Sequence, residues 1–356
     1  MLRSFITQVH DENRQPDVVE ERCVHSLVDG ASCRACVTVC PKQSWILDDD
    51  ALGLDTSTCD GCGLCVPVCR QGAIDKPIEL ELKQSGDTPI LLFACERIEI
   101  DATGKRLPCI HAIGIQEILG LHSAGVQEIT ATTGNCDQCE RGSAVRIEER
   151  LKLVNKALEV QGLNVIKLQL VSTNDWLLQN SQFGQQAQGE QLNRRSFLGS
   201  LFTSGLESGV KNSHFLFTTA TDFSPPGQLF AKSPTDTLWP YLPEIDLDLC
   251  NGCDLCVRLC PHHAITMDDT EEATSYLIEP ENCSGCNICS DLCDSRALSI
   301  HQWRTQEQHR LVLSTQRCKS CGVTFHLPVN KDDIDKQKCR ICSKHDHSSK
   351  LFQVFT

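Results

Sequence analysis

Cys250, Cys253, Cys256 and Cys260 stand in the run CNGCDLCVRLCP, and Cys283, Cys286, Cys289 and Cys293 repeat it 33 residues later without the proline. Thiolates at this tight spacing let one loop wrap three sulfurs around a single iron–sulfur cubane. The fourth cysteine of each run reaches the other cubane of the pair. The spacing therefore predicts one ligand set of Cys250, Cys253, Cys256 and Cys293, and another of Cys283, Cys286, Cys289 and Cys260.

An earlier pair of runs follows the same plan less completely. Cys59, Cys62, Cys65 and Cys69 form a full run, preceded by Cys33, Cys36 and Cys40-Pro41, with Gly30 where a first cysteine would stand. Cys59, Cys62, Cys65 and Cys40 are then a complete set, and Cys33, Cys36 and Cys69 lack one ligand. Two readings stay open. The short set holds a [3Fe–4S] cluster, or Cys23, ten residues upstream of Cys33, closes a [4Fe–4S] site across a nine-residue loop. Asp29 is a carboxylate alternative. The plain reading of Cys23 is a small buried apolar residue.

Four more cysteines are scattered. Cys95 ends the apolar run PILLFAC, Cys109 ends RLPC, and Cys136 and Cys139 lie in GNCDQCERG after the strand-like VQEITATTG. Strand-like and helix-like segments alternate here. IGIQEILGLHSAG and RIEERLKLVNKALEVQG have helical apolar spacing, and NVIKLQLV reads as a further strand, which predicts a parallel sheet. In such a sheet the four cysteines fall at the carboxyl edge, where ligands bind, and a [2Fe–2S] or [4Fe–4S] cluster fits them. A redox-active dithiol at Cys136 and Cys139, or inert cysteines, are the alternatives.

Cys318, Cys321, Cys339 and Cys342 form two Cys-x-x-Cys knuckles 17 residues apart. That is the spacing of a four-thiolate structural zinc, with a mononuclear iron as the other reading of the same ligand set. His345 and His347 could substitute as ligands, but a solvated tail is the better reading. Counted together, the 24 cysteines divide into six groups of four only if Cys23 is a ligand.

The cysteines sort the chain into segments. The predicted class is α+β multidomain: two ferredoxin-like dicluster domains, a central α/β parallel-sheet domain and a small C-terminal zinc ribbon. The boundaries are 20–80 for the first dicluster domain, 88–175 for the α/β domain with its four-cysteine site, 176–243 for a linker, 244–301 for the second dicluster domain and 310–350 for the ribbon. The linker opens on the Gln-rich LLQNSQFGQQAQGEQLN and carries an amphipathic helix with Phe197, Leu198, Leu201 and Phe202 on its apolar side. Arg194 and Arg195 there form the twin-arginine pattern of an export signal, but stand mid-chain, where a packing helix is the better reading.

Residues 244–301 resemble the bacterial two-[4Fe–4S] ferredoxins, and the earlier runs resemble a second, looser copy. Residues 88–175 resemble the small iron–sulfur (delta) subunit that joins methyl-viologen-type hydrogenases to heterodisulfide reductase. That match rests on Cys95 after the first strand, Cys109 before the first helix and the Cys136/Cys139 element before the second. It departs where the family has a paired Cys-x-x-Cys, since here Cys95 is followed by Glu96. The resemblance implies a docking role beside a catalytic oxidoreductase subunit.

The chain has 356 residues and a net charge of −14, against a nucleic-acid partner, which wants a basic patch. No segment reads as a secretory h-region or a spanning helix. The expected location is cytoplasmic, where clustered cysteines mean metal more often than disulfide. No nucleotide-binding glycine loop and no catalytic residue set of its own stands out. The expected role is an iron–sulfur electron-transfer subunit that relays electrons within, or to, a multi-subunit oxidoreductase. A thiol- or disulfide-active enzyme and a non-catalytic redox sensor or assembly module are the rivals.

Overall fold

A computed structural model describes residues 15–48, 51–85, 88–100, 106–142, 146–188, 214–217, 223–230, 237–269, 273–329 and 338–344. The chain divides into two compact units. One comprises Met1–Glu21 and Arg34–Phe223, the other Arg22–Cys33 and Ser224–Thr356.

In the first unit two small antiparallel pairs frame the early cysteine runs. β1 (Asp17–Val18) pairs with β4 (Ile74–Asp75), and β2 (Trp45–Leu47) with β3 (Leu52–Leu54). Trp45, Cys65, Val66 and Ile74 make their core, with Cys36, Cys40 and Cys69 packed against it.

A larger sheet follows, with β5 (Ile78–Ser85), β6 (Thr88–Cys95), β7 (Arg106–Leu107), β8 (Glu128–Thr132), β9 (Lys167–Leu170) and β10 (His214–Phe217). Its order is β10-β5-β6-β8-β9, with β7 also on β6. β6, β7, β8 and β9 are parallel, as the alternation of elements predicts. The sheet is nevertheless mixed, because β5 and β10 extend it antiparallel. β5 lies before the expected start at residue 88. Its sequence IELELKQS alternates, and Ile78, Leu80 and Leu82 are all buried, the period-two mark of a half-buried strand.

The two amphipathic helices form as predicted, at Ile115–Ser123 and Ile147–Val160. Ile147, Leu151, Val154 and Leu158 are buried along one stripe of the second. The Gln-rich stretch is a helix as well, Thr173–Gln188. It is no bare linker: Trp176 is 2% exposed and packs with Leu92 and Ala94 of β6 and with Ile100. Polar composition hides a segment anchored by Trp176, with Leu177 and Phe183 packed against the same core. The twin arginines, the proposed apolar helix at Phe197–Phe202 and the two tail histidines lie outside the described residues.

In the second unit β11 (Leu242–Ile245) pairs with β14 (Leu298–His301), repeating the β1–β4 plan. β12 (Ile265–Asp269) and β13 (Thr274–Ile278) form the hairpin that corresponds to β2–β3. Two strands of the C-terminal segment, β15 (Arg310–Arg317) and β16 (Thr324–Pro328), join that hairpin in one four-stranded sheet, in the order β12-β13-β15-β16. Leu311 and Leu313 of β15 belong to the same core as Ile265, Tyr276 and Ile278.

Candidate iron–sulfur and metal sites

Each cysteine run ends in the same turn. Three residues after Cys40, Cys69, Cys260 and Cys293 stand Gln43, Gly72, His263 and Arg296, with φ of 53°, 57°, 55° and 53°. In all four turns the N–H of that residue donates to the cysteine carbonyl. The left-handed turn then aims the next N–H at the sulfur. Ser44 donates to Cys40 Sγ at 3.4 Å, Ala73 to Cys69 at 3.2 Å, Ala264 to Cys260 at 3.2 Å and Ala297 to Cys293 at 3.3 Å. N–H donors to thiolate sulfur stabilise the charged form and tune a bound cluster's potential. The spacing of the cysteines does not reveal these donors. The signal that could have found them is the small residue, Ser or Ala, four places after each cysteine.

A second left-handed position follows the middle cysteine of three runs, at Gly63, Asp254 and Asn287, with φ of 77°, 63° and 68°. These are the residue types that tolerate that region. Arg34, in the equivalent place after Cys33, has φ −133°, so the run that lacks a cysteine also lacks this bend.

Two cavities are lined by the thiols that the spacing groups together. One is lined by Cys40, Cys59, Cys62 and Cys65. The other is lined by Cys250, Cys253, Cys256 and Cys293, and by Cys289. Burial pushes the Cys62 thiol up to about 11 and Cys256 up to about 12. Cys289 is also raised by burial, and then by the nearby Cys286, Cys283 and Cys260. Buried thiols that repel one another stay protonated unless a cation compensates them, and a thiolate-ligated iron centre supplies that compensation. The cavities, the convergent thiols and the N–H donors fit such a group. For the incomplete set, Cys36 and Cys69 pack on the Trp45 core. In the other unit Cys23 is 7% exposed beside the Val24–Leu27 helix.

Cys95, Cys109, Cys136 and Cys139 all stand at the carboxyl ends of parallel strands, after β6, β7 and β8. Burial raises the Cys95 thiol, which lies within electrostatic reach of Cys136 and Cys139. Burial pushes Cys109 up to about 12, with Cys95, Cys62 and Cys136 near it. Arg150, from the Ile147–Val160 helix, holds the loop after Cys109 by donating to the carbonyls of His111 and Ile113, each at 2.7 Å. Cys62, Leu64 and Cys109 share one small buried cluster.

Sequence reasoning missed Arg141. Its side chain is almost fully buried, and its Nε donates to Asp60 Oδ2 at 2.6 Å, in the loop between Cys59 and Cys62. Burial works to raise the Asp60 carboxyl, but the Arg141 guanidinium outweighs it and holds the group below its ordinary range. A polar trio was missed as well. Tyr276 Oη donates to Asp254 Oδ1 at 2.6 Å, and His326 Nε2 lies 2.7 Å from the same oxygen, beside the Cys253 loop.

The two C-terminal knuckles do converge. The sulfurs of Cys318, Cys321, Cys339 and Cys342 all lie within 4.8 Å of one another. Cys339 N–H donates to Cys318 Sγ at 3.2 Å. That bond and the N–H of Cys321 lower the Cys318 thiol, while burial raises that of Cys342 in the same set. This set can bind a metal ion.

A family model described as a 4Fe-4S dicluster domain matches residues 249–297, and another of the same description matches residues 31–74. The chain carries two ferredoxin-type dicluster domains. Those domains assign it a role in iron–sulfur electron transfer. The likeness of residues 88–175 to a hydrogenase delta subunit, and of 310–350 to a zinc ribbon, finds no support in these matches. No curated protein matches the chain. Among the described residues, no helix is long and apolar enough to cross a membrane.

Proposed function

We propose that this protein is a multi-centre electron-transfer subunit that serves a catalytic oxidoreductase partner in the cytoplasm. The observation that carries the reading is the turn repeated at Cys40, Cys69, Cys260 and Cys293, which offers a backbone N–H to each sulfur. Bound iron–sulfur clusters would supply one-electron chemistry at these places. The chain supplies the thiolates, the donors that tune them, and burial that keeps water away.

The ligand sets in this reading are Cys40, Cys59, Cys62 and Cys65; Cys250, Cys253, Cys256 and Cys293; and Cys260, Cys283, Cys286 and Cys289. For the incomplete run of Cys33 and Cys36, the sequence spacing leaves Cys23 as a fourth ligand or a [3Fe–4S] cluster. Cys95, Cys109, Cys136 and Cys139 hold a fifth cluster in a domain like the delta subunit, and their mutual proximity at one sheet edge supports this. Cys318, Cys321, Cys339 and Cys342 hold a structural zinc, supported by their convergence and the low Cys318 thiol.

Anaerobic purification with iron, sulfide and zinc analysis tests the whole account. About 16 to 20 iron and about one zinc per chain are expected. About 8 iron would leave one dicluster domain empty and would sink it.

A further inference from the structure

We propose that Arg141 is a positioning residue that locks the four-cysteine set at the sheet edge onto the neighbouring Cys40/Cys59/Cys62/Cys65 centre, with the Cys62–Cys109 contact as the junction between them. This rests on the reading that Cys95, Cys109, Cys136 and Cys139 bind a cluster.

The argument starts from where one guanidinium reaches. Arg141 is 5% exposed and stands two residues after Cys139. Nη1 donates to the Pro108 carbonyl at 2.6 Å, directly before Cys109, and lies 3.5 Å from Glu96 Oε2, directly after Cys95. Nε and Nη2 donate to Asp60 Oδ2 and to the Asp60 carbonyl, at 2.6 and 3.0 Å. Asp60 in turn accepts the Cys62 N–H on Oδ1 at 3.2 Å. One planar fork therefore ties the loops of Cys95, Cys109 and Cys139 to the loop that carries Cys59 and Cys62. A lysine cannot hold four such partners at once, because it lacks the rigid fork.

Burying a charged side chain is costly unless all its partners are in place. A fixed positive charge beside two thiolate sets also does more than brace the fold. It favours the more negative, reduced state of any cluster bound there, and so raises its potential. Cys62, Leu64 and Cys109 pack in one buried cluster between the two sets.

The test uses the full chain, prepared anaerobically. Cys95→Ser with Cys136→Ser comes first. A loss of iron equal to one cluster supports the underlying reading, and unchanged iron removes that reading and the junction with it. Arg141→Gln, Arg141→Lys and Asp60→Asn then address Arg141 itself, read by EPR-monitored redox titration. With iron content held at the wild-type value, Arg141→Gln is expected to abolish the magnetic interaction between the two centres. It should also shift the Cys59-set reduction equilibrium at least tenfold toward the oxidised form, about 59 mV for a one-electron couple. Asp60→Asn should weaken the interaction too, but move the potential in the opposite direction, since it removes a negative charge. Arg141→Lys should restore most of the potential and little of the interaction. Unchanged interaction and potential in Arg141→Gln would overturn the proposal while leaving the cluster reading intact. Loss of iron from both centres in all three variants would make Arg141 a structural residue only, and would overturn it as well.

Discussion

At the scale of single residues, the cysteines were legible because ligand spacing is a strict geometric demand. The sequence grouped Cys293 with Cys250, Cys253 and Cys256 across more than thirty positions, and the cavity lining brings the same four together. Cys293→Ser is therefore expected to remove the cluster of the Cys250 set and to spare that of Cys283, Cys286 and Cys289. About four iron should be lost from the chain. Double variants with Cys250→Ser and with Cys283→Ser check the pairing: the first should lose nothing further, the second another cluster. The residues that were not legible are those whose role depends on a distant partner. Arg141 lies 81 positions from Asp60, and nothing in ERGS marks it as buried. The Asp254, Tyr276 and His326 trio joins three segments in the same way.

At the scale of elements, legibility followed hydrophobic period. The Ile147–Val160 helix announced itself by its apolar stripe, and β6 by PILLFAC. β5 carries an equally regular alternation, but its glutamates obscure it, and the antiparallel half of the large sheet went unseen for that reason. The Thr173–Gln188 helix is the instructive case. Its composition is that of a linker, and its attachment is Trp176. Trp176→Ala should destabilise the first unit by about 3 to 5 kcal/mol, the usual cost of emptying a large buried aromatic site, read as a drop in the denaturant midpoint. A change below about 0.5 kcal/mol would show that the helix is not docked. β16 has no counterpart among the elements read from the sequence. The structure places its backbone against the Cys250 loop, where a Cβ on Gly252 would come within 2.0 Å of the His326 carbonyl oxygen. Glycine there serves close approach as well as its φ of 63°.

At the scale of the molecule, each compact unit joins a ferredoxin-type domain to a further cysteine site, the sheet-edge set in one and the C-terminal knuckles in the other. The placement of backbone strain is also a property of the whole. Among the described residues, six that are not glycine have left-handed φ, and five of them, Gln43, Asp254, His263, Asn287 and Arg296, lie in the cysteine turns. Asp254 and Asn287 are types that tolerate this region, and Gln43, His263 and Arg296 carry the cost, about 1–2 kcal/mol each. Admitting air to the anaerobic protein is therefore expected to accelerate amide hydrogen exchange first in the turns after Cys260 and Cys293, ahead of β6 and β8. Uniform exchange along the chain would contradict this. The strain sits where the sulfurs are, held by the N–H bonds of each turn to the cysteine carbonyl and sulfur. Loss of a bound cluster to oxygen would then be felt first as a loosening of these turns.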